Sequence, residues 1–364
     1  MPVSRASWPT VKICVLSFCF ISRFFKMNSC LRCSGQSSVF KFFYVFILVT
    51  FILVLTGQYE SVLEPPRVPQ PTISTVSDQE NAYVFYATDN TYACSVLVNV
   101  HILRKTHETK RRIIVLVSKD VSSKYHSSFK SLSAEVIQRK PMGLHPEANK
   151  DYKNSLLKLE AFRLPEIDPG LKRLLVVEGD QLVLKDLDHL FDLPPADIYA
   201  PRAYWVRDEL FSSTLMLIQP TPEMWNDIKD MVPNLQPNQL EMDVINDIFS
   251  GKAAPIPESY VVLNSHWSEW TLPSWFAPSA SVATSEAAGA TPTPSAKPSK
   301  EELDELSLQA HIVHFSADIG KPWDYDVWQV GELEFNAHQV LLLQWQEWRV
   351  RALALCPAGV IDHV

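Results

Sequence analysis

Two carboxylates one residue apart, Glu178 and Asp180, follow the apolar run Leu174–Val177. A short apolar run of this kind predicts a buried strand, and open α/β sheets collect ligands at the carboxyl ends of their strands. The pair therefore falls where a ligand would bind. Carboxylate oxygens are hard donors that suit Mg²⁺ or Mn²⁺, and Gly179 between them permits a close backbone approach or a positive φ. The same Glu-Gly-Asp triplet also makes an ordinary polar turn. Taken alone the turn is the better reading, so the elements around the pair must decide.

Those elements alternate along the chain. NAYVFYAT (Asn81–Thr88) predicts a strand, and YACSVLVNVHILRKTH places apolar residues at helical spacing behind it. RRIIVLVS (Arg111–Ser118) predicts the next strand. A polar helix near 121–132, the strand AEVIQ and a helix through NSLLKLEAFRLP lead to the strand that ends in the acidic pair. Further strands are expected at DIYAPR, STLMLIQ and HIVHF, with helices near 222–232 and 240–250 and an amphipathic helix at the C-terminus. This alternation predicts an α/β domain with a mostly parallel sheet over 81–350. The Ser-, Ala-, Thr- and Pro-rich stretch 278–300 reads as a disordered insert open to O-glycosylation, and 351–364 as a C-terminal tail. No N-x-S/T sequon occurs.

The net charge of −8 over 364 residues hides an asymmetry: residues 1–57 carry six cations and no acid, which leaves −14 on the remainder. A body that acidic repels phosphate and excludes a nucleic-acid-binding surface. Phe42–Gly57 is uninterruptedly apolar, and Val39 and Phe40 extend it across Lys41. With Lys41 snorkelling, 39–57 is long enough for a transmembrane anchor. Every flanking cation precedes it while Glu60 and Glu64 follow. The positive-inside rule then predicts a cytosolic tail (1–38), a polar, Pro-rich stem (58–80) and a body on the far side, the type II topology. LTGQYESV is a poor small-residue cleavage site, which argues against a signal peptide, and Met27 is an alternative start. Cys30 and Cys33 form a lone C-x-x-C, insufficient for zinc. Cys94 and Cys356 follow the anchor; they can pair in an oxidising lumen, or Cys94 can serve as core.

Three separated stretches resemble the glycogenin-like enzymes of glycosyltransferase family 8. VVEGDQLVLKDLDHLFDLP is similar to the family's metal-binding stretch, where an acidic D-x-D ends a buried strand. AYVFYATDNTYACSVLVNVHILRKTH resembles its opening strand and helix, which hold the uracil and ribose of a UDP-sugar. HIVHFSADIGKPW (His311–Trp323) is similar to its H-F-x-(n)-K-P-W element. The layout of anchor, stem and domain resembles the fungal Golgi N-acetylglucosaminyltransferases of that family. The resemblance implies a GT-A-type nucleotide-sugar-binding domain behind a transmembrane helix.

It also implies roles. Asp180 and His314 would be metal ligands, joined by Glu178, which stands where the family usually has Asp and is one methylene longer. Lys321 would contact the diphosphate, with Gly320 giving it room, and Lys158 would lie near the donor. Thr88, Asp89 and Tyr92 would hold the nucleoside. Ser212-Ser213-Thr214 replaces the family's sugar-contacting Asn-Ser-Gly-type turn. Glu241 and Asp243 offer the catalytic carboxylate near the acceptor, the register leaving open which of them faces the site. His311, three residues before His314 in a strand, would face away from it and be structural.

The implied reaction is retaining transfer from a UDP-sugar to a glycan acceptor in the Golgi lumen. The resemblance favours UDP-GlcNAc, with UDP-glucose and UDP-galactose behind it. A His ligand favours Mn²⁺ over Mg²⁺. The alternative is a non-catalytic relative that binds nucleotide-sugar or scaffolds Golgi enzymes. Glu178 and the altered serine turn favour that alternative; the survival of Asp180, His314 and Lys321 opposes it.

Overall fold

The computed structural model describes residues 79–149, 152, 154–279, 297–316, 319–324 and 337–358, all within the second of the chain's two units, Ile73–Val364. The expected tail, anchor and nearly all of the stem lie outside the described residues, as do most of the insert and the last six residues of the chain. Among the described residues no helix is long and apolar enough to cross a membrane.

Four strands, β1 (Asn81–Ala87), β2 (Arg112–Val117), β3 (Glu135–Gln138) and β4 (Arg173–Val177), pair in parallel in the order β3-β2-β1-β4. β1 is buried along its whole length because each face of the sheet carries its own core. Tyr83, Phe85 and Ala87 join one core and Ala82, Val84 and Tyr86 the other, the period-two alternation of a central strand. β7 (Leu215–Ile218) runs antiparallel to both β4 and β6 (Ile198–Ala200), and β8 (Ala253–Pro255) lies parallel to β6 at the edge. The sheet is mostly parallel, as expected, with β7 reversed inside it.

A second sheet was not legible in the sequence. Three short strands, β5 (Gln181–Val183), β9 (Val261–Leu263) and β10 (Ile312–His314), pair in the order β5-β10-β9. In its register His314 lies opposite Gln181, and the ladder continues as the Phe315 N–H donates to the Asp180 carbonyl at 2.9 Å. This small sheet is what brings His314 beside the acidic pair.

The longer helices are α1 (Asn90–His101), α2 (Lys124–Ser131), α3 (Pro222–Met231), α4 (Glu241–Phe249), α5 (Lys300–Gln309) and α6 (Gln339–Leu355). The helix expected through NSLLKLEAFRLP is a 3₁₀ helix, Ser155–Arg163, followed by one α-turn, Leu164–Ile167. α1 is buried from Ala93 to Val100. Asn99, inside that apolar stretch, replaces a strand partner for β5: its amide donates to the Gln181 carbonyl at 2.6 Å and accepts from the Val183 N–H at 2.9 Å. α6 corrects the expected domain limit at 350, since it runs to Leu355 and packs on α1. Cys356 just beyond it is disulfide-bonded to Cys94 of α1, with 5.4 Å between their Cα atoms. The segment up to Cys356 is therefore part of the domain rather than a tail.

Candidate active site

β4 ends at Val177, so Glu178 leaves the sheet among the tips of neighbouring elements. Tyr86, near the end of β1, donates its hydroxyl to Glu178 Oε1 at 3.1 Å. Lys158, wholly buried on the 3₁₀ helix, pairs with the same oxygen and reaches Glu241 Oε1 at 3.1 Å and Ser213 Oγ at 3.0 Å. Burial alone would drive the Lys158 ammonium to lose its proton, but Glu178 and Glu241 outweigh it and hold the pKa above its usual value. Gly179 is tightly enclosed. A Cβ there would sit 3.1 Å from Val96 Cγ2, 3.2 Å from Tyr92 Cδ1 and 3.3 Å from the Tyr86 carbonyl. Of the two reasons for a glycine, close approach to α1 is the one that applies.

Asp180 comes next. His314 Nδ1 stands 3.7 Å from Asp180 Oδ1 and 3.7 Å from Glu178 Oε2. One ligand atom from each of the three residues lies within 4.8 Å of the others. Lys321 Nζ pairs with Asp180 Oδ2 and donates to the Tyr92 hydroxyl at 3.1 Å. Burial pushes the Asp180 carboxyl up, but His314 and Lys321 overcome it and hold its pKa below the ordinary value. Gly320, beside Lys321, has φ 80°, in the region that favours glycine.

These residues fit a divalent cation. His314 Nδ1 is buried without a hydrogen-bond partner among the described residues, two carboxylates face it, and imidazole and carboxylate both ligate divalent metals. The charge balance agrees. Asp89, Glu178, Asp180, Glu241 and Asp243 line one cavity of about 360 Å³, against Lys321 in its wall and Lys158 beneath it. An excess of acid draws in a cation.

The other expected residues divide. Thr88, Asp89 and Tyr92 line the cavity, and Asp89 also caps α1, accepting from the Thr91 and Tyr92 N–H groups at 2.9 and 3.0 Å. Glu241 turns toward Lys158, whereas Asp243 accepts the Leu240 N–H at 2.8 Å and caps α4. Both reach the cavity, with Glu241 in the charged network. Two expected residues sit behind the lining. Ser212 is fully buried beneath the wall, its Oγ 2.8 Å from Thr214 Oγ1, and Thr214 lines the cavity beside Ser213 in its place. Lys158 lies just behind the cavity lining, its ammonium engaged by the lining residues Glu178, Glu241 and Ser213. His311 faces away from the acids and stacks on Tyr260 with 4.2 Å between ring centroids.

Sequence reasoning missed Tyr86, Asn99 and Trp205. Asn99 left a signal, a lone amide in an apolar helix. Tyr86 and Trp205 left none.

No family model matches the chain. Glucose N-acetyltransferase 1 of Gibberella zeae is 26% identical over 191 residues, which cover 48% of this chain and 42% of that protein. Its namesake in Aspergillus fumigatus is 25% identical over 246 residues, 59% of this chain and 61% of the relative. Galactinol synthase 1 of Arabidopsis thaliana is 22% identical over 329 residues, covering 79% and 84%. The chain is similar to these curated transferases, in line with its resemblance to the family 8 glycosyltransferases. It spans about half the length of the first two relatives, 42% and 61%. Among solved structures, galactosyltransferase LgtC in complex with donor and acceptor sugar analogs overlaps 76% of this chain and 97% of its own at 15% identity, with a TM-score of 0.47.

Proposed function

We propose that this chain is a metal-dependent, retaining glycosyltransferase of GT-A type. It moves a sugar, GlcNAc by preference, from a UDP-sugar to a hydroxyl of a glycan acceptor. The observation that carries the reading is the convergence of Glu178, Asp180 and His314 with Lys321 at the rim of one acidic cavity. Glucose N-acetyltransferase 1 as the name of several relatives supports the donor preference; the galactinol synthases keep UDP-galactose, and with it UDP-glucose, as the alternative.

Glu178, Asp180 and His314 would hold Mn²⁺, with Mg²⁺ second; when bound, the ion supplies positive charge to the diphosphate leaving group. Tyr92 offers a ring to uracil, and Thr88 and Asp89 offer polar contacts to the nucleoside. Lys321 exchanges its contact with Asp180 for the diphosphate, where its charge offsets the negative charge that grows as the anomeric bond breaks. Ser213 and Thr214 face the sugar. Each lining carboxylate is engaged through at least one oxygen: Asp89 and Asp243 cap helices, Glu178 and Glu241 hold Lys158, and Asp180 holds Lys321, while Glu241 Oε2 has no partner among the described residues. That engagement disfavours a covalent nucleophile and supports front-face attack, in which the acceptor hydroxyl enters beside the departing phosphate oxygen. Trapping a glycosyl-enzyme in a single turnover would overturn this step.

The acidic body, the 39–57 run and the Cys94–Cys356 disulfide support an oxidising compartment behind a type II anchor, which we assign to the Golgi membrane. The test of activity is UDP release by the full chain from UDP-GlcNAc, UDP-glucose and UDP-galactose, with and without Mn²⁺. Mn²⁺-dependent release, fastest from UDP-GlcNAc and abolished by Asp180→Asn, is expected. Release from none of them, with UDP binding unchanged by Asp180→Asn, would leave the non-catalytic reading.

A further inference from the structure

Trp205 has no role in the chemistry so far, yet it lines the cavity. Its ring stacks on the imidazole of His314, 6.5 Å between centroids and 23° between planes. The segment that carries it, between β6 and β7, is firmly held. The Ala203 N–H donates to the Leu210 carbonyl at 2.8 Å and the Ser212 N–H to the Pro201 carbonyl at 2.8 Å. Arg202 lies over the Phe211 ring at 3.8 Å. Tyr204 meets Trp205 edge-on at 5.0 Å and anchors it from below, since its hydroxyl accepts the Leu263 N–H at 3.2 Å and lies 3.1 Å from His266 Nε2. The result is a half-buried aromatic plate at the cavity wall, whose indole N–H has no hydrogen-bond partner among the described residues.

An aromatic face carries negative potential and attracts the positively polarised C–H groups on the flat side of a pyranose. A donor sugar needs hydroxyl partners, which Ser213, Thr214 and Glu241 supply and an indole face does not. Front-face attack brings the acceptor oxygen alongside the departing phosphate, hence beside the residues that hold the metal. Trp205, stacked on one of them, stands where the ring bearing that oxygen must lie.

We propose that Trp205 is the platform on which the acceptor's pyranose ring rests, so that the acceptor is a pyranoside rather than a peptide hydroxyl. This rests on the proposed glycosyl transfer at the same site, and the test separates the two.

Full-length wild type, Trp205→Ala and Trp205→Phe are assayed with Mn²⁺ and UDP-GlcNAc. UDP release to water is measured first, then its stimulation by methyl pyranosides and by a serine-containing peptide. The pyranosides should stimulate release and the peptide should not. Trp205→Ala should raise the acceptor KM about tenfold or more, the loss of a well-packed ring contact, with far less effect on release to water, and Trp205→Phe should recover part of it. Equal losses in release to water, transfer and Mn²⁺ affinity would mean that Trp205 only supports His314 and would overturn the platform. Stimulation by the peptide alone would overturn it too. Should wild type release no UDP at all, the proposed transfer fails separately. Saturation-transfer NMR of a methyl pyranoside with the Mg²⁺–UDP-loaded protein then decides. A saturation signal in wild type that disappears in Trp205→Ala sustains the platform, and no signal in wild type removes it.

Discussion

Asp180 answers to two cations, because Lys321 pairs with the carboxylate that a metal would need. On the proposed function, the ammonium would compete with the ion in the absence of nucleotide and would have a better partner in a diphosphate. Lys321→Met should therefore tighten Mn²⁺ binding in the absence of UDP by several-fold and weaken UDP binding by about tenfold, the scale of one charge-assisted contact. Counting free Mn²⁺ by electron paramagnetic resonance and titrating UDP calorimetrically would check both; weaker Mn²⁺ binding without UDP would contradict the competition. Asp180, His314 and Lys321 were legible in the sequence because their chemistry is carried by residue type within recognisable stretches. The depth of Lys158 was not, since a lysine in a helix looks solvated until the helix is found buried among β1, β2 and β4.

Between residues and fold stand the short strands and the segment that carries Trp205. Tyr204 leans on His266, whose ring is 8% exposed and bonded on both sides, to Tyr204 at 3.1 Å and Thr271 at 2.9 Å. Burial pushes the His266 pKa from 6.5 down to about 4. The folded protein keeps this ring neutral, so on acidification the unfolded chain takes up the proton first. The stability it contributes is complete above about 6.5 and declines as pH falls toward 4, by about 3 kcal/mol. Melting temperatures measured across that window should fall more steeply for wild type than for His266→Gln; identical slopes would remove His266 from the account. The long alternating elements could be anticipated because apolar periodicity announces them. β5, β9 and β10 have three residues each, too few to show a period, and their pairing depends on contacts such as Asn99 with β5 that no local pattern contains.

For the molecule as a whole, the disulfide between Cys94 and Cys356 joins α1, which begins at the cavity wall, to the end of α6. It closes a loop of 262 residues in sequence separation, which in the chain-entropy model stabilises the fold by up to about 5 kcal/mol. Cys94→Ala with Cys356→Ala, or reduction of the wild type, should lower the melting temperature by several degrees, and reductant should have no further effect on the double variant. Cysteine count predicted the possibility of pairing; only the docking of α6 on α1 decided it. The alternating sheet was legible from composition and periodicity, whereas the meeting of residues 178, 180 and 314 required the second sheet. The central claim is that these three hold a metal which in turn holds the donor's diphosphate. Titrating UDP into wild type and Asp180→Asn, each with and without Mn²⁺, tests it most directly. Mn²⁺ should strengthen UDP binding to wild type by about hundredfold, a contribution of about 3 kcal/mol, and leave the variant's binding unchanged; equal UDP affinity with and without Mn²⁺ in wild type would contradict the account.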